Sequence, residues 1–251
     1  MTRTPSTLTA LIRAGFSQLS VAQAGLAEGG WEPDMFAPSA HPDASLAAVL
    51  SLRSAHPVEW AKIQRSATAT KRLVLLTGVS TGLTDFLLRR PEQWSLLSKD
   101  LRSLPQAAGW TDTFRDATSG CDTAAAVEAL RVAYRRGLCQ VALFDAQSSQ
   151  PLQVLPLVAA CLADMAGAAL EVALEIARRD HGLEVSAVPL TIMGMGKAGA
   201  RELNYLSDVD VIYVTDTPAG ADAEKVLQGA TILARDTARH LMEFGKEPGL
   251  W

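Results

Sequence analysis

Apolar residues recur every three or four positions through roughly the first 185 residues, where alanine and leucine dominate. This is the period of an α-helix, whereas strands alternate with a period of two. Pro57, Pro91 and Pro151 stand where helices would begin or end. We therefore predict an array of helices over residues 6–27, 44–54, 71–89, 91–104, 123–145 and 151–179.

The pattern changes after residue 182. Residues 185–193 and 209–214 are short runs rich in β-branched side chains, which predicts two strands. A short helix is predicted between them over 197–205, and a long helix over 221–244. Segments 29–42 and 109–120 are rich in turn-forming residues and are predicted to be loops. Helices followed by strand, helix, strand and helix predict an α+β fold.

Composition narrows the class of protein. Hydrophobic residues make up 48% of the chain and charged residues 20%, as in soluble globular proteins. A net charge of -4 offers no basic field for phosphate backbones, so we expect no nucleic-acid partner. Cys121, Cys139 and Cys161 are widely spaced and indicate neither disulfides nor a zinc site. No stretch reaches the roughly 18 apolar residues of a membrane span, and we expect a cytoplasmic protein.

Several residues capable of chemistry are interpreted as structural. The histidines are scattered and are predicted to lie at the surface or to cap helices: His41, His56, His181 and His240. Arg135 and Arg136 are predicted to lie on a solvated helix face, with contact to a partner protein as the alternative.

A glycine-rich turn follows the first predicted strand. Gly194, Gly196 and Gly199 in the sequence GMGKAG allow main-chain N–H groups to approach an anion closely. This turn is a candidate phosphate cradle. Glycines after a strand also serve simply to make a tight turn, and the residues alone leave both interpretations open.

Two carboxylates follow this turn. Asp208 and Asp210 are two residues apart at the start of the second predicted strand, so the period of two places them on one face. Their mutual repulsion is relieved if a cation lies between them, and Mg²⁺ prefers carboxylate and phosphate oxygens. Together with Ser207 and the turn, the pair indicates metal-assisted transfer at phosphorus.

Two other nucleotide-binding motifs share glycines with this segment. The three glycines also satisfy G-x-G-x-x-G, and Asp216 follows at the distance of a ribose-binding acid, so a dinucleotide site is a minor alternative. The pattern GxxxxGK[ST] is not satisfied, because Ala198 follows Lys197.

Segment 193–214 resembles the nucleotidyltransferase motif of the glutamine synthetase adenylyltransferase/adenylyl-removing family, G-M-G-K-L-G-G-R-E-L-N-Y-S-S-D-I-D-L-I-F. The matching residues are Gly194, Met195, Gly196, Lys197, Gly199, Arg201, Glu202, Leu203, Asn204, Tyr205, Ser207, Asp208 and Asp210. Ala198, Ala200 and Leu206 depart from the pattern. Segments 76–98 and 130–145 are similar to helical parts of the family, so the resemblance covers most of residues 70–251.

The resemblance implies a helical region over 1–148 and a DNA polymerase β-like nucleotidyltransferase core with an incomplete sheet over 149–251. It implies Mg²⁺ on the catalytic residues Asp208 and Asp210. It also implies nucleotide and phosphate binding by Gly194, Gly196, Lys197, Gly199 and Ser207. Asn204 is typical of the adenylyl-removing copy of this unit, which uses inorganic phosphate to release AMP from a tyrosine of glutamine synthetase as ADP. A second copy in full-length members attaches AMP from ATP, and the pair controls nitrogen assimilation.

The resemblance also implies partners and a missing part. Adenylylated glutamine synthetase is the expected partner, with a PII-type signalling protein as another. The family has a third carboxylate in a D-x-x-x-R-P stretch, and the chain stops at Trp251 before any such stretch. We therefore expect a fragment that is inactive alone. A non-catalytic module that docks glutamine synthetase or a PII-type protein is the alternative function.

Overall fold

The computed structural model describes residues 7–243 and 245–251. Contacts divide the chain into two compact units: unit 1 comprises Met1–Ser103 and Ala142–Ser149, and unit 2 comprises Leu104–Val141 and Gln150–Trp251. The domain boundary between residues 148 and 149 stays a prediction. The described residues are mostly helical and include one two-stranded sheet, which confirms the α+β class.

Unit 1 is an array of helices. Its helices are α1 (Thr7–Arg13), α2 (Leu19–Gly29), α3 (Pro42–Ala55), α4 (Pro57–Ile63), α5 (Ala67–Val79) and α6 (Thr81–Arg89), with 3₁₀ turns at Pro33–Met35 and Pro91–Ser98. Large apolar side chains fill its core, including Phe36, Leu52, Leu73, Leu76, Phe86 and Trp94. Burial of this apolar surface is the main force that holds the array together.

Two predicted helices of unit 1 are each divided in two. The prediction over 6–27, whose first residue lies outside the described residues, is wrong in extent. The chain turns at Gly15, which has φ of +89°, and Asp43 binds the N–H groups of Ser17 and Gln18 before α2 begins. The prediction over 71–89 is wrong because Ser80 is extended and its side chain accepts from the N–H of Leu83. Ser80 thus caps α6 and satisfies one of the N–H groups that open this helix.

Unit 2 is built around one long helix. Its elements are α7 (Ala107–Thr118), α8 (Thr123–Ala146, whose end belongs to unit 1), α9 (Pro151–Arg179), α10 (Leu183–Ser186), β1 (Thr191–Gly194), α11 (Gly196–Gly199), β2 (Val211–Val214) and α12 (Ala223–Met242). Helices α7 and α12 both pack against α9. By length and composition α9 could cross a membrane, contrary to our expectation, but 61% of its most apolar window is buried within the protein.

The bounds of several elements in unit 2 differ from prediction. The loop predicted over 109–120 is helix α7, which buries Trp110 and Phe114 one turn apart. The first strand begins at Thr191 instead of 185, because α10 occupies part of the predicted range. The long helix predicted over 221–244 ends at Met242, and residue 244 lies outside the described residues.

Strands β1 and β2 are antiparallel. Thr191 pairs with Val214, and Gly194 pairs with Val211. Side chains on paired residues share a face. The face that carries Met193 is exposed, and β1 contacts α9.

Arginine side chains of α8 hold the segment that follows α12. Arg131 is buried and donates to the carbonyl oxygens of His240 and Glu247. Arg135 forms an ion pair with Glu247 at 3.3 Å and donates to the carbonyl of Gly249 at 2.6 Å. The prediction that Arg135 lies on a solvated face is therefore wrong, because its guanidinium binds Glu247 and Gly249.

His240 is buried in α12, which contradicts its interpretation as a surface or capping residue. Burial lowers the pKa of this imidazole, and the nearby charge of Arg239 lowers the pKa further. The hydrogen bond to the Ala173 carbonyl and the charges of Asp236 and Asp180 act in the opposite direction. Since the pKa in the folded state lies below the usual 6.5, protonation favours the unfolded chain.

We expect the free energy of unfolding to be unaffected by His240 above pH about 6.5 and to fall as the pH decreases below that value. The slope from this one group is at most about 1.4 kcal/mol per pH unit. His240→Gln should flatten that part of the profile, because the amide does not titrate. Urea unfolding between pH 7.5 and 5 measures the difference, and parallel profiles for the two proteins would contradict it.

Candidate functional site

The turn between β1 and α11 is packed backbone against backbone. A Cβ atom added to Gly199 would lie 2.4 Å from the carbonyl oxygen of Gly194, closer than any side chain tolerates. A Cβ added to Gly194 would in turn meet the Gly199 nitrogen at 3.4 Å. Glycine is therefore required at 199 to bring the turn onto the end of the strand.

This turn lies beside one of the two predicted carboxylates. Gly196 has a left-handed backbone with φ of +50°, and a Cβ added there would be 3.9 Å from Oδ2 of Asp210. The N–H of Met195 donates to the carbonyl of Asp210 at 2.8 Å. The structure thus brings the glycine turn and Asp210 together.

Main-chain N–H groups are exposed in the same place. Residues Gly196, Lys197 and Ala198 open the single turn of α11, so the helix ladder provides no acceptor for their N–H groups. The predicted helix over 197–205 is wrong in extent, because α11 ends at Gly199. Lys197 is exposed in this turn, where its ammonium group can reach solvent anions.

Ala200 causes no strain where the family pattern has glycine. Its φ of -77° lies in the right-handed region that any residue adopts. The left-handed residue is Arg201, with φ of +58°. Arg201 donates to Asp164 of α9 at 2.6 Å, and the buried Leu203 follows it. The motif match includes Arg201, but its contact with Asp164 is not visible from sequence.

Asp208 and Asp210 lie just before β2, because that strand begins at Val211 and not at 209 as predicted. Side-chain exposure nevertheless alternates from residue 208 to 214, with Asp208, Asp210 and Ile212 on the exposed side. This alternation is that of extended chain, so the two carboxylates share a face. Both are open to solvent and repel each other.

Ser207 lies next to this pair, and its hydroxyl donates to the Asn204 side-chain oxygen. Because the hydroxyl proton is used in that contact, the lone pairs of Ser207 Oγ remain available to coordinate a cation. Two carboxylates, one hydroxyl oxygen and an adjacent turn of N–H groups fit Mg²⁺ with a phosphate, since Mg²⁺ takes few protein carboxylates and completes its shell with phosphate and water. Within 7–243 and 245–251, no cluster of three His, Cys, Asp or Glu side chains suits a metal.

The dinucleotide alternative is contradicted by the sheet. That fold has parallel strands joined through a crossover helix, whereas β1 and β2 are antiparallel neighbours. Asp216 lies beyond the end of β2 and is exposed, and its carboxylate accepts from the N–H of Thr217.

Comparison with known proteins agrees with the motif. The sequence profile of glutamate-ammonia ligase adenylyltransferase matches residues 70–247. The chain is 41% identical to a bifunctional glutamine synthetase adenylyltransferase/adenylyl-removing enzyme of Leifsonia xyli subsp. xyli, covering 100% of this chain and 27% of that relative. Relatives of the same description in Streptomyces avermitilis and Mycolicibacterium smegmatis are 34% and 36% identical, covering 99% and 81% of this chain and 26% and 22% of the relatives.

The chain thus spans about a quarter of the length of these curated relatives. The profile match covers more than half of the chain, and the first of these relatives aligns with all of it. The chain belongs to the glutamate-ammonia ligase adenylyltransferase family.

Proposed function

We propose that this chain carries the nucleotide-binding and metal-binding residues of an adenylyl-removing unit. The reaction proposed is phosphorolysis of the adenylyl-tyrosine bond of glutamine synthetase, which releases ADP. The observation that carries this proposal is the position of the Asp210 carboxylate beside Gly196 in the glycine turn. Relatives named as glutamine synthetase adenylyltransferase/adenylyl-removing enzymes support the partner.

The residues of the site have complementary parts in this reaction. Asp208 and Asp210 would hold Mg²⁺, which when bound neutralises charge on phosphate oxygens. The N–H groups that open α11 would hold phosphate oxygens through hydrogen bonds, and Lys197 would add a positive charge. An oxygen of inorganic phosphate forms a bond to the AMP phosphorus while the bond to the tyrosine oxygen breaks. The products are ADP and free tyrosine on the protein.

The resemblance that assigns this reaction also implies a third carboxylate. Two carboxylates, Asp208 and Asp210, stand together in the part of the chain that the structure describes. We therefore propose that the 251-residue chain binds nucleotide but does not turn over alone. Binding of Mg²⁺-ADP is accordingly the property that tests the site in this chain.

We expect Asp208→Asn and Asp210→Asn each to weaken Mg²⁺-ADP binding by about 10- to 100-fold, the size typical of lost partners at metal sites. Asp216→Asn is the matched control, because its amide oxygen keeps the hydrogen bond from Thr217 and the residue is outside the site. Isothermal titration calorimetry with and without Mg²⁺ measures the affinities. Equal affinity in all three variants would contradict the proposed metal site, and so would a loss of binding confined to Asp216→Asn.

We expect Gly199→Ala to weaken binding of Mg²⁺-ADP by about tenfold or more, because its methyl group would displace the turn from Gly194 and from Asp210. Gly182→Ala is a suitable control, since a Cβ there meets no atom within 4 Å. The same calorimetry is combined with circular dichroism to confirm that both variants are folded. Unchanged binding in folded Gly199→Ala would show that the turn is not part of the nucleotide site.

A further inference from the structure

A cavity of about 290 Å³ opens beside Asp208. Its inner wall is apolar and comes from Tyr134 and Leu138 on one face of α8 and from Leu162 on α9. Tyr134 is 4% exposed and Leu162 is 2% exposed, so this wall belongs to the packed core of unit 2. The volume is near the lower end of small-ligand pockets, about 300–1,000 Å³, and suits one flat ring system.

Trp251 closes one side of the cavity and is held in place. Its ring meets Tyr134 edge to face, with centroids 5.8 Å apart and planes at 81°. The chain leading to it is fixed by Arg131 and Arg135, which bind the carbonyls of Glu247 and Gly249. The aromatic wall is therefore formed by side chains that are held in place by contacts within the protein, which reduces the entropy lost on binding.

The outer side of the cavity is mixed in character. It carries the polar residues Asn204, Ser207 and Asp208 beside the exposed Tyr205 and Leu206. The Asn204 side-chain oxygen accepts from Ser207, which orients the amide and leaves its two N–H groups as donors. An apolar wall with a few oriented polar groups on the outer side is the arrangement typical of sites for heteroaromatic ligands.

We propose that this cavity holds the adenine ring of the nucleotide whose phosphates lie at Asp208 and Asp210. This inference rests on the proposed function, because it takes an adenine nucleotide as the ligand. Ring nitrogens of adenine accept hydrogen bonds, as the free N–H groups of Asn204 require, and its flat faces pack against Tyr134, Leu138 and Trp251.

The tyrosyl ring of the substrate is a second candidate for the cavity. In adenylylated tyrosine the phosphorus is linked to adenosine on one side and to the tyrosine oxygen on the other. The tyrosyl ring is carried on a protein and therefore needs an open approach. The exposed face of the sheet next to Asp210 offers that approach, with Met193, Ile212 and Val214 between 42% and 50% exposed. A tyrosine ester also has no ring nitrogen to accept from Asn204. The cavity, with its packed wall of Tyr134, Leu138 and Leu162, therefore suits adenine, and the open face of the sheet suits the protein.

The test replaces Leu138, which lines the cavity, with a larger side chain that fills it. Leu138→Trp should weaken Mg²⁺-ADP binding by about tenfold or more, since base packing is lost, and should leave Mg²⁺-pyrophosphate binding unchanged. Leu227→Trp is the matched control, because Leu227 is 60% exposed on α12 and outside the cavity. Leu138→Ala is a second variant that does not crowd the core, and it should weaken ADP binding severalfold. Calorimetry measures all affinities.

The outcomes separate the cavity from the proposed function. Loss of ADP binding in Leu138→Trp with retained pyrophosphate binding supports the adenine site. Full ADP binding in both Leu138 variants, together with its loss in Asp208→Asn, overturns the adenine site and leaves the proposed function standing. Weaker binding of an adenylyl-tyrosine peptide but unchanged ADP binding assigns the cavity to the tyrosyl ring and overturns the proposal. ADP binding that depends on Leu138 but not on Asp208 overturns the proposed function.

Discussion

The close contact between Gly199 and the carbonyl of Gly194 is the constraint on which the site depends. A side chain at 199 cannot be accommodated, since its first carbon would lie 2.4 Å from that oxygen. The contact folds the chain back immediately after β1, and the hydrogen bond from Met195 to Asp210 then aligns the returning segment with the turn. The glycine turn and the carboxylate of Asp210 are thereby brought close together, since a Cβ on Gly196 would lie 3.9 Å from Oδ2 of Asp210.

Unit 2 provides the rigid support for this arrangement. Helix α9 is largely buried, and Arg201 attaches the end of the turn to Asp164 on that helix. Helix α8 supports the other side, because Arg131 and Arg135 bind the carbonyls of Glu247 and Gly249, and Tyr134 contacts Trp251. Groups placed on packed helices keep their positions better than groups on free loops, which favours binding without large rearrangement.

The sequence predicts the elements whose signals are local. Residues 151–179 were predicted as one helix, and α9 has those bounds because its apolar period is uninterrupted. The break within the first predicted helix involves a distant residue, because Asp43 binds the N–H of Ser17 from 26 residues away, which no local pattern reveals. The break within the third is local, since Ser80 caps the helix that follows it. The sequence does not predict α7, because polar residues, Gly109 within the helix and Gly120 after it outweigh the pair Trp110 and Phe114.

The candidate site shows the same division between local and distant information. Period two placed Asp208 and Asp210 on one face, and exposure alternates accordingly, although the strand itself begins one residue beyond Asp210. The cavity beside Asp208 could not be predicted, because Tyr134, Leu162 and Trp251 come from three distant segments. At Ala200 the sequence departs from the family pattern, but the backbone there has an ordinary right-handed conformation that alanine adopts without strain.

In the proposed function, the glycine turn and the carboxylate pair form one metal–phosphate site. The most direct measurement is ¹H–¹⁵N NMR of the isotope-labelled chain with ADP and substoichiometric Mn²⁺, whose unpaired electrons broaden nearby amide signals. The account predicts that the amide signals of Gly196, Lys197, Asp208 and Asp210 broaden together at the lowest Mn²⁺ concentrations. Broadening at the carboxylates that leaves the turn unaffected, or broadening confined to other parts of the chain, would contradict it.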